Sequence, residues 1–299
     1  MIETYPNFDA AYRATLRRLL DKGRYVSGVA SSQSIGSNFG TSPRPFVELQ
    51  GDGFRLSNPR ARFLASPARM IDPVFAAANF VFTISGGHEP QMITAYNSRG
   101  QAFAEDSSRY ETAFGSRLFS PGHQIAYVKK KLMLDRQSRR AVAQIYGPDD
   151  TLLDRRDTPC AISLQFLIRD ERLDCVCFMR SQSAVMVMPY DVFLFTMIQE
   201  WLAVEIGVPV GEYSHVCGSL HYYEEDKSIF EGILSEKVES EQMAEMTSSG
   251  ADVANRLVEY ERILRYNRLR SENVEPILGL DRYWSGFLHP IVDFHSKKK

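Results

Sequence analysis

The segment "YDVFLFTMIQEWLAVEI", residues 190–206, restricts the fold of this 299-residue chain more than any other. It is apolar on most of its faces and ends at Gly207, which predicts a buried helix with Pro189 at its first position. Asp191 falls in the first turn, where the helix dipole favours a carboxylate. The apolar content of the whole chain likewise indicates a substantial core.

Strand patterns occupy three other segments. Residues 141–146, 161–168 and 173–179 each predict a strand, and the polar turn "RDER" joins the last two. We therefore expect these segments to form part of the sheet core.

Helical spacing marks three further regions. Apolar residues from Phe8 to Asp21 predict an amphipathic first helix, and residues 74–84 predict a buried helix in which Asn79 is the one polar group. A charged helical region is predicted for 239–271, interrupted near "SSG". Because neither repeats nor a shift in composition divide the chain, we expect a single domain over residues 1–299.

Charge and cysteine content narrow the classes of function. The chain has 35 Lys and Arg against 37 Asp and Glu, so the balance favours neither nucleic acid nor an anionic membrane as partner. Four cysteines are few for this length, which predicts reduced thiols in a cytoplasm. Cys175 and Cys177 would share one face of a strand, which argues against a zinc site, so no metal is expected. The N-terminal residues lack a signal-peptide core, and no apolar stretch reaches the length of a membrane span.

Several chemically useful side chains converge if the predicted strands lie side by side. Cys160 stands at the start of one strand, Arg180 and Ser181 stand at the end of the next, and Asp191 opens the long helix. A thiol near a cation is more easily ionised, and a guanidinium beside a hydroxyl suits a phosphate. Each feature also has a structural explanation, since most buried cysteines are inert and a first-turn Asp commonly only caps its helix.

The order of short motifs favours the functional explanation. From about Ser138 to Tyr223 the chain carries "SRRAV", "TPCAISLQF", "CFMRS", "MPYD" and "VGEYSHVCGSLHYY". This series resembles the thymidylate synthase superfamily, whose members carry SRR, PCH-x-x-x-QF, RS, a proline-aromatic-Asn/Asp and G-x-x-H-x-Y in that order. The resemblance implies an α+β (α/β) fold with a large mixed β-sheet flanked by helices, one sheet face forming the interface of a homodimer.

The resemblance also implies a covalent site for a pyrimidine nucleoside monophosphate. Cys160 falls at the nucleophile that adds to C6 of the base. Arg180 and Ser181 fall at phosphate contacts, as do Arg139 and Arg140, which in this family reach into the site of the partner subunit. The cofactor implied is 5,10-methylenetetrahydrofolate.

Sugar and base contacts follow from the same resemblance. His221 and Tyr223 fall at the pair that holds a sugar hydroxyl, and Asp191 falls where thymidylate synthases have an asparagine that reads uracil. A carboxylate only accepts hydrogen bonds and so suits the exocyclic amine of cytosine. Aspartate at this position is the pattern of the cytidylate hydroxymethylases, which predicts CMP or dCMP as substrate.

Other positions depart from the family pattern. Asn79 stands at the position of the catalytic glutamate, Phe114 replaces a tyrosine, Ser183 replaces the aspartate that contacts folate, and Ala161 replaces a histidine. An amide cannot relay protons as a carboxylate does. These losses lie on the proton-relay and folate side, so we expect nucleotide binding to be retained.

The phosphate side has one departure as well. The first Ser/Gly-rich loop lacks the expected arginine, and Arg44 is the nearest one downstream. Amides and hydroxyls of residues 31–40 are predicted to contact the phosphate instead.

Three functions remain open at this point. The first is a folate-dependent C5 hydroxymethylase of CMP or dCMP. The second is an enzyme in which Cys160 activates a pyrimidine nucleotide without folate. The third is a homologue that binds nucleotide without catalysis, or that pairs with another subunit in a larger assembly.

Overall fold

The computed structural model describes residues 2–28, 44–98, 100, 110, 112–120, 122, 124–152, 157–236, 241–267 and 279–297. Helices in this part of the chain surround one mixed sheet of seven strands. The strands are β1 (Glu3–Tyr5), β2 (Arg24–Val26), β3 (Phe46–Leu56), β4 (Val142–Gln144), β5 (Ala161–Arg169), β6 (Arg172–Ser183) and β7 (Val210–Tyr223). The helices are α1 (Phe8–Lys22), α2 (Pro73–Ile84), α3 (Pro90–Thr94), α4 (Phe114–Leu118), α5 (Gln124–Leu134), α6 (Pro148–Leu152), α7 (Met188–Ile206), α8 (Lys227–Ser235), α9 (Ala251–Asn267) and α10 (Arg282–Ser296).

The sheet has the order β1-β3-β7-β6-β5-β4, with β2 paired to β3. β6 and β7 run parallel, whereas β5 and β6 form an antiparallel hairpin. The "RDER" turn closes that hairpin with Asp170 and Glu171 both at positive φ, 48° and 57°, as a two-residue hairpin turn of type I′ requires. The expected α+β architecture, a large mixed sheet flanked by helices, is confirmed.

Helix α7 is the buried helix that its apolar sequence predicts. It begins at Met188, so Pro189 is its second residue and not its first, and it ends at Gly207 with φ 78°. The helix packs against β6, β7, α2 and α5, which cover most of its faces. None of the helices in the described ranges combines the length and the apolar character needed to cross a bilayer.

Two predicted elements are shorter than expected because part of the backbone in each forms hydrogen bonds that do not belong to a regular strand or helix. The strand predicted over 141–146 is limited to β4, since Ile145 and Tyr146 both donate their N–H groups to the carbonyl oxygen of Ile162. In the region predicted to be helical from residue 239, Met246 donates its N–H to the Glu200 carboxylate, and the helix begins only at Ala251. Strands β3 and β7 were not predicted from the sequence, and the structure adds them to the sheet.

Candidate active site

Cys160 lies directly before β5 and is half-buried against the core. The neighbouring strand β6 holds it from the backbone, because Arg180 donates its N–H to the carbonyl oxygen of Cys160 at 2.8 Å. The guanidinium group of Arg180 donates to the carbonyl oxygens of Pro159 and Thr158, also at 2.8 Å each. Arg180 thus fixes the segment that carries the thiol.

The thiol of Cys160 is less acidic than the sequence pattern suggested. Burial raises its pKa to about 11, and the carboxylates of Asp191 and Asp157 act in the same direction. The Arg180 guanidinium lowers the pKa, as expected, but its effect is smaller than that of burial. The expectation of an easily ionised thiol is therefore wrong for the free protein, and the thiol must lose its proton as it reacts.

Asp191 lies in the first turn of α7, close enough to affect the pKa of Cys160. Its Oδ2 accepts a hydrogen bond from Nε2 of Gln182 at 2.9 Å. Burial raises the pKa of Asp191 to about 7, although the Gln182 hydrogen bond opposes the shift. Burial therefore favours the protonated carboxyl group, despite its place at a helix N-terminus.

Behind Asp191, a series of buried polar side chains extends into the core. Oε1 of Gln182 lies 2.9 Å from Nε2 of His215, and Nδ1 of His215 lies 2.8 Å from the hydroxyl of Tyr213. Burial lowers the pKa of His215 to about 3, so its ring is neutral. Sequence analysis missed these three residues; the one signal was the polar alternation of Tyr213 and His215 along β7.

The end of β7 carries the two residues predicted to hold the sugar. The rings of His221 and Tyr223 lie 5.2 Å apart, and Nδ1 of His221 is sealed from solvent with no hydrogen-bond partner among the described residues. Burial lowers the pKa of His221 to about 4, so its imidazole is uncharged at neutral pH. Ser181 is half-buried on β6 and pairs in register with Ser219 of β7.

Arg44 reaches the same end of the sheet. Its guanidinium carbon lies 3.7 Å from the ring centroid of Tyr223, and it forms an ion pair with Glu225. The Ser/Gly-rich residues 31–40 lie outside the described residues.

Arg139 and Arg140 do not join this group within the chain. Both residues are exposed in the segment before β4, and the backbone oxygen of Arg139 accepts a hydrogen bond from the side chain of Gln165. Their position leaves both guanidinium groups accessible to another molecule.

Asn79 is half-buried near the middle of α2. It shares a helix face with Phe75, whose ring contacts Tyr190 at 5.2 Å, next to Asp191 in sequence. This face of α2 is therefore turned toward the start of α7. The side-chain amide makes no hydrogen bond to another described residue.

The positions that depart from the family pattern have structural roles here. The hydroxyl oxygen of Ser183 accepts a hydrogen bond from the N–H of Met186 and thus holds the turn before α7. The Phe114 ring stacks on Phe195 at 5.6 Å, and Ala161 is fully buried in the core. Across the described ranges, no group of three or more His, Cys, Asp or Glu side chains is placed to hold a metal ion.

Comparisons with known proteins identify the family of the chain and its fold. The thymidylate synthase family model matches residues 92–267, more than half of the chain, and the candidate residues outside that match are Asn79, Arg44 and residues 31–40. The chain belongs to the thymidylate synthase family. Its fold resembles that of the thermostable thymidylate synthase A from Bacillus subtilis, with a TM-score of 0.64 at 16% identity over 78% of this chain and 86% of that one.

Two curated relatives show how far the sequence similarity extends. The chain is 29% identical over 194 residues to a deoxyuridylate hydroxymethyltransferase of Bacillus phage SP01, covering 60% of this chain and 51% of the relative. It is 25% identical over 130 residues to the thymidylate synthase of Listeria monocytogenes serovar 1/2a, covering 44% of this chain and 40% of that enzyme. The chain thus spans about half the length of these relatives, or less.

Proposed function

We propose that the chain modifies C5 of a pyrimidine nucleoside monophosphate through a covalent bond between Cys160 and C6 of the base. The observation that carries this proposal is the grouping of Cys160, Arg180 and Asp191 where β5, β6 and α7 meet. As Sγ of Cys160 bonds to C6, the thiol proton passes to solvent water, and the electron pair of the C5–C6 double bond moves to C5. C5 then becomes nucleophilic.

A cytidylate, CMP or dCMP, is the proposed substrate. A protonated Asp191 donates to the ring nitrogen N3 of cytosine and accepts from the exocyclic amine, while the charged form accepts from the amine alone. Since the pKa of Asp191 is about 7, a proton shared between Asp191 and N3 offsets the charge that develops on the ring as Cys160 adds.

His221, Tyr223, Arg180 and Ser181 are proposed to hold the sugar and the phosphate. The rings of His221 and Tyr223 lie 5.2 Å apart at the end of β7, which supports this because both side chains can hydrogen-bond a sugar hydroxyl. Asn79 is proposed to face the reacting base from α2.

A second copy of the chain is proposed to complete the phosphate site with its own exposed Arg139 and Arg140. The interface would be the sheet face opposite α7, where the half-buried side chains of β6 include Val176 and Phe178.

The cofactor 5,10-methylenetetrahydrofolate is used by the thymidylate synthase family, but two positions here do not fit it. Ser183 is engaged with the backbone of Met186, and Phe114 is stacked on Phe195. Neither supplies the carboxylate or hydroxyl that the family pattern has at that position. We derive no step through the folate, and its use by this chain is a hypothesis for the experiment below.

Deoxyuridylate is the second candidate substrate. One reason is that the phage relative is a deoxyuridylate hydroxymethyltransferase. The other is that a neutral carboxyl group of Asp191 can pair with the N3–H and O4 of uracil. Asp191 in its charged form favours cytosine.

The test is to incubate the protein with CMP, dCMP, UMP and dUMP, each with and without methylenetetrahydrofolate, and to measure product masses. The proposal predicts a change at C5 of a cytidylate that is lost in Cys160→Ala, and the folate hypothesis predicts that this change is a gain of one CH₂O that depends on folate. Turnover without folate would support the folate-independent enzyme, and tight binding without turnover would support a non-catalytic homologue.

A further inference from the structure

The buried side chains behind Asp191 form a chain of hydrogen bonds with one direction. Because Gln182 donates through Nε2 to Asp191, its Oε1 must accept from Nε2 of His215. The imidazole is neutral, so its other nitrogen, Nδ1, accepts from the hydroxyl of Tyr213. Every bond in the series therefore donates toward the carboxyl group of Asp191.

This direction fixes how Asp191 can meet a base. Oδ2 is committed as an acceptor, so a proton carried by the carboxyl group resides on Oδ1. Oδ1 makes no hydrogen bond to a described residue, and it is not among the side-chain atoms sealed without a partner. It is the oxygen left open to a ligand.

The series could also run in the opposite direction. If the amide of Gln182 turned over, its NH₂ group would face His215, and its oxygen would face Asp191. Asp191 would then have to keep a proton on Oδ2 in order to donate it, and His215 would have to carry its own proton on Nδ1. The hydroxyl of Tyr213 fits either tautomer, because it can accept as well as donate. Only the direction that donates toward Asp191 also serves a charged carboxylate.

We propose that Gln182, His215 and Tyr213 are positioning residues that hold Asp191 by hydrogen bonds donated toward Oδ2, leave Oδ1 open to the base and favour the charged carboxylate. Because the charged form favours cytosine, they thereby set the preference for cytosine over uracil. The role in base selection rests on the proposed function. The orientation of Asp191 does not, because it is a property of the free protein.

The first test measures the titration of the Asp191 carboxyl in the free protein by carbon-detected NMR. Tyr213→Phe removes one hydroxyl, and Gln182→Leu removes the donor to Asp191. Both are expected to raise the pKa of Asp191, by about half a unit or more, with the larger rise in Gln182→Leu. Tyr222→Phe is the matched control, since Tyr222 is buried on the same strand but its ring packs on Phe230.

The other titratable groups that face Asp191 are neutral around pH 7. Burial raises the pKa values of the thiols and the phenol among them and lowers that of the imidazole, so a transition near pH 7 reports Asp191 itself. These groups are Cys160, Cys177, Tyr213, His215 and Cys217.

The second test compares the dissociation constants of CMP and UMP by calorimetry. The preference of the wild type for CMP is expected to fall about tenfold in Tyr213→Phe and to be unchanged in Tyr222→Phe. Unaltered titration in both Tyr213→Phe and Gln182→Leu would overturn the orientation of Asp191. A shifted Asp191 titration with an unaltered preference for CMP over UMP would overturn only the role in base selection. A wild type that binds neither nucleotide would overturn that role together with the proposed function.

Discussion

Arg180 and Cys160 are joined through the backbone of adjacent strands, with the Arg180 N–H donating to the Cys160 carbonyl at 2.8 Å. The same arginine holds the two residues before the cysteine through its guanidinium group. One side chain therefore both places the thiol and lowers its pKa against the effect of burial.

Arg180→Gln is expected to slow alkylation of Cys160 by iodoacetamide about threefold to tenfold at pH 8, because the pKa of the thiol rises when the positive charge is removed. Peptide mass spectrometry distinguishes Cys160 from the three buried cysteines. Arg172→Gln, at the exposed end of the β5–β6 hairpin, serves as control. Faster alkylation in Arg180→Gln would show that the arginine mainly shields the thiol.

Asp191→Asn is expected to make the protein more stable at pH 8 than the wild type, by at most about 4 kcal/mol, and to lose that advantage at pH 4. The folded state raises the pKa of Asp191 to about 7, whereas the unfolded chain has the ordinary value. The wild type therefore loses stability as the pH rises between those two values. Urea unfolding at both pH values measures the difference.

Asp252→Asn is the matched control for this prediction, because Asp252 is an exposed acid on α9. An Asp191→Asn difference that does not change with pH would contradict the raised pKa.

Glu200→Gln is expected to destabilise the fold by about 3 kcal/mol or more. Glu200 forms a fully buried ion pair with Arg62, and its other oxygen accepts from the N–H of Met246. Removing the charge leaves the guanidinium group uncompensated in the core, where two of its nitrogens already lack partners in the described part of the chain. Chemical denaturation checks this value against Glu245→Gln, whose exposed pair with Arg60 is expected to contribute less than about 1 kcal/mol.

Phe178→Asp is expected to convert a dimer to a monomer in sedimentation experiments and to weaken nucleotide binding at least about tenfold. The reasons are that Phe178 lies on the proposed interface and that a monomer lacks the partner's Arg139 and the partner's Arg140. Leu20→Asp, at an exposed position on α1, is the control. A Phe178→Asp variant that remains dimeric would place the interface elsewhere.

The sequence predicted those elements whose residues within one segment determine their structure. The apolar run of α7 and the β5–β6 hairpin could be predicted because each is specified within its own segment. Cys160, Arg180 and Asp191 could be selected because they follow a recognisable series of motifs.

Features that depend on long-range pairing could not be predicted. The series from Asp191 to Tyr213 requires β6 and β7 to lie in parallel register, with Cys177 opposite His215. The protonation of Cys160 and Asp191 depends on burial, which outweighs the nearby cation and the helix dipole that the sequence does show.

The central claim, that Cys160 adds to C6 of a cytidylate, is tested most directly by exchange of the C5 hydrogen of CMP and dCMP in D₂O without folate, followed by proton NMR. Addition to C6 makes C5 able to take up deuterium, so the C5–H signal is expected to decay with the wild type and to persist with Cys160→Ala. Exchange that continues in Cys160→Ala, or a wild type that binds the nucleotide and leaves the signal intact, would contradict the account.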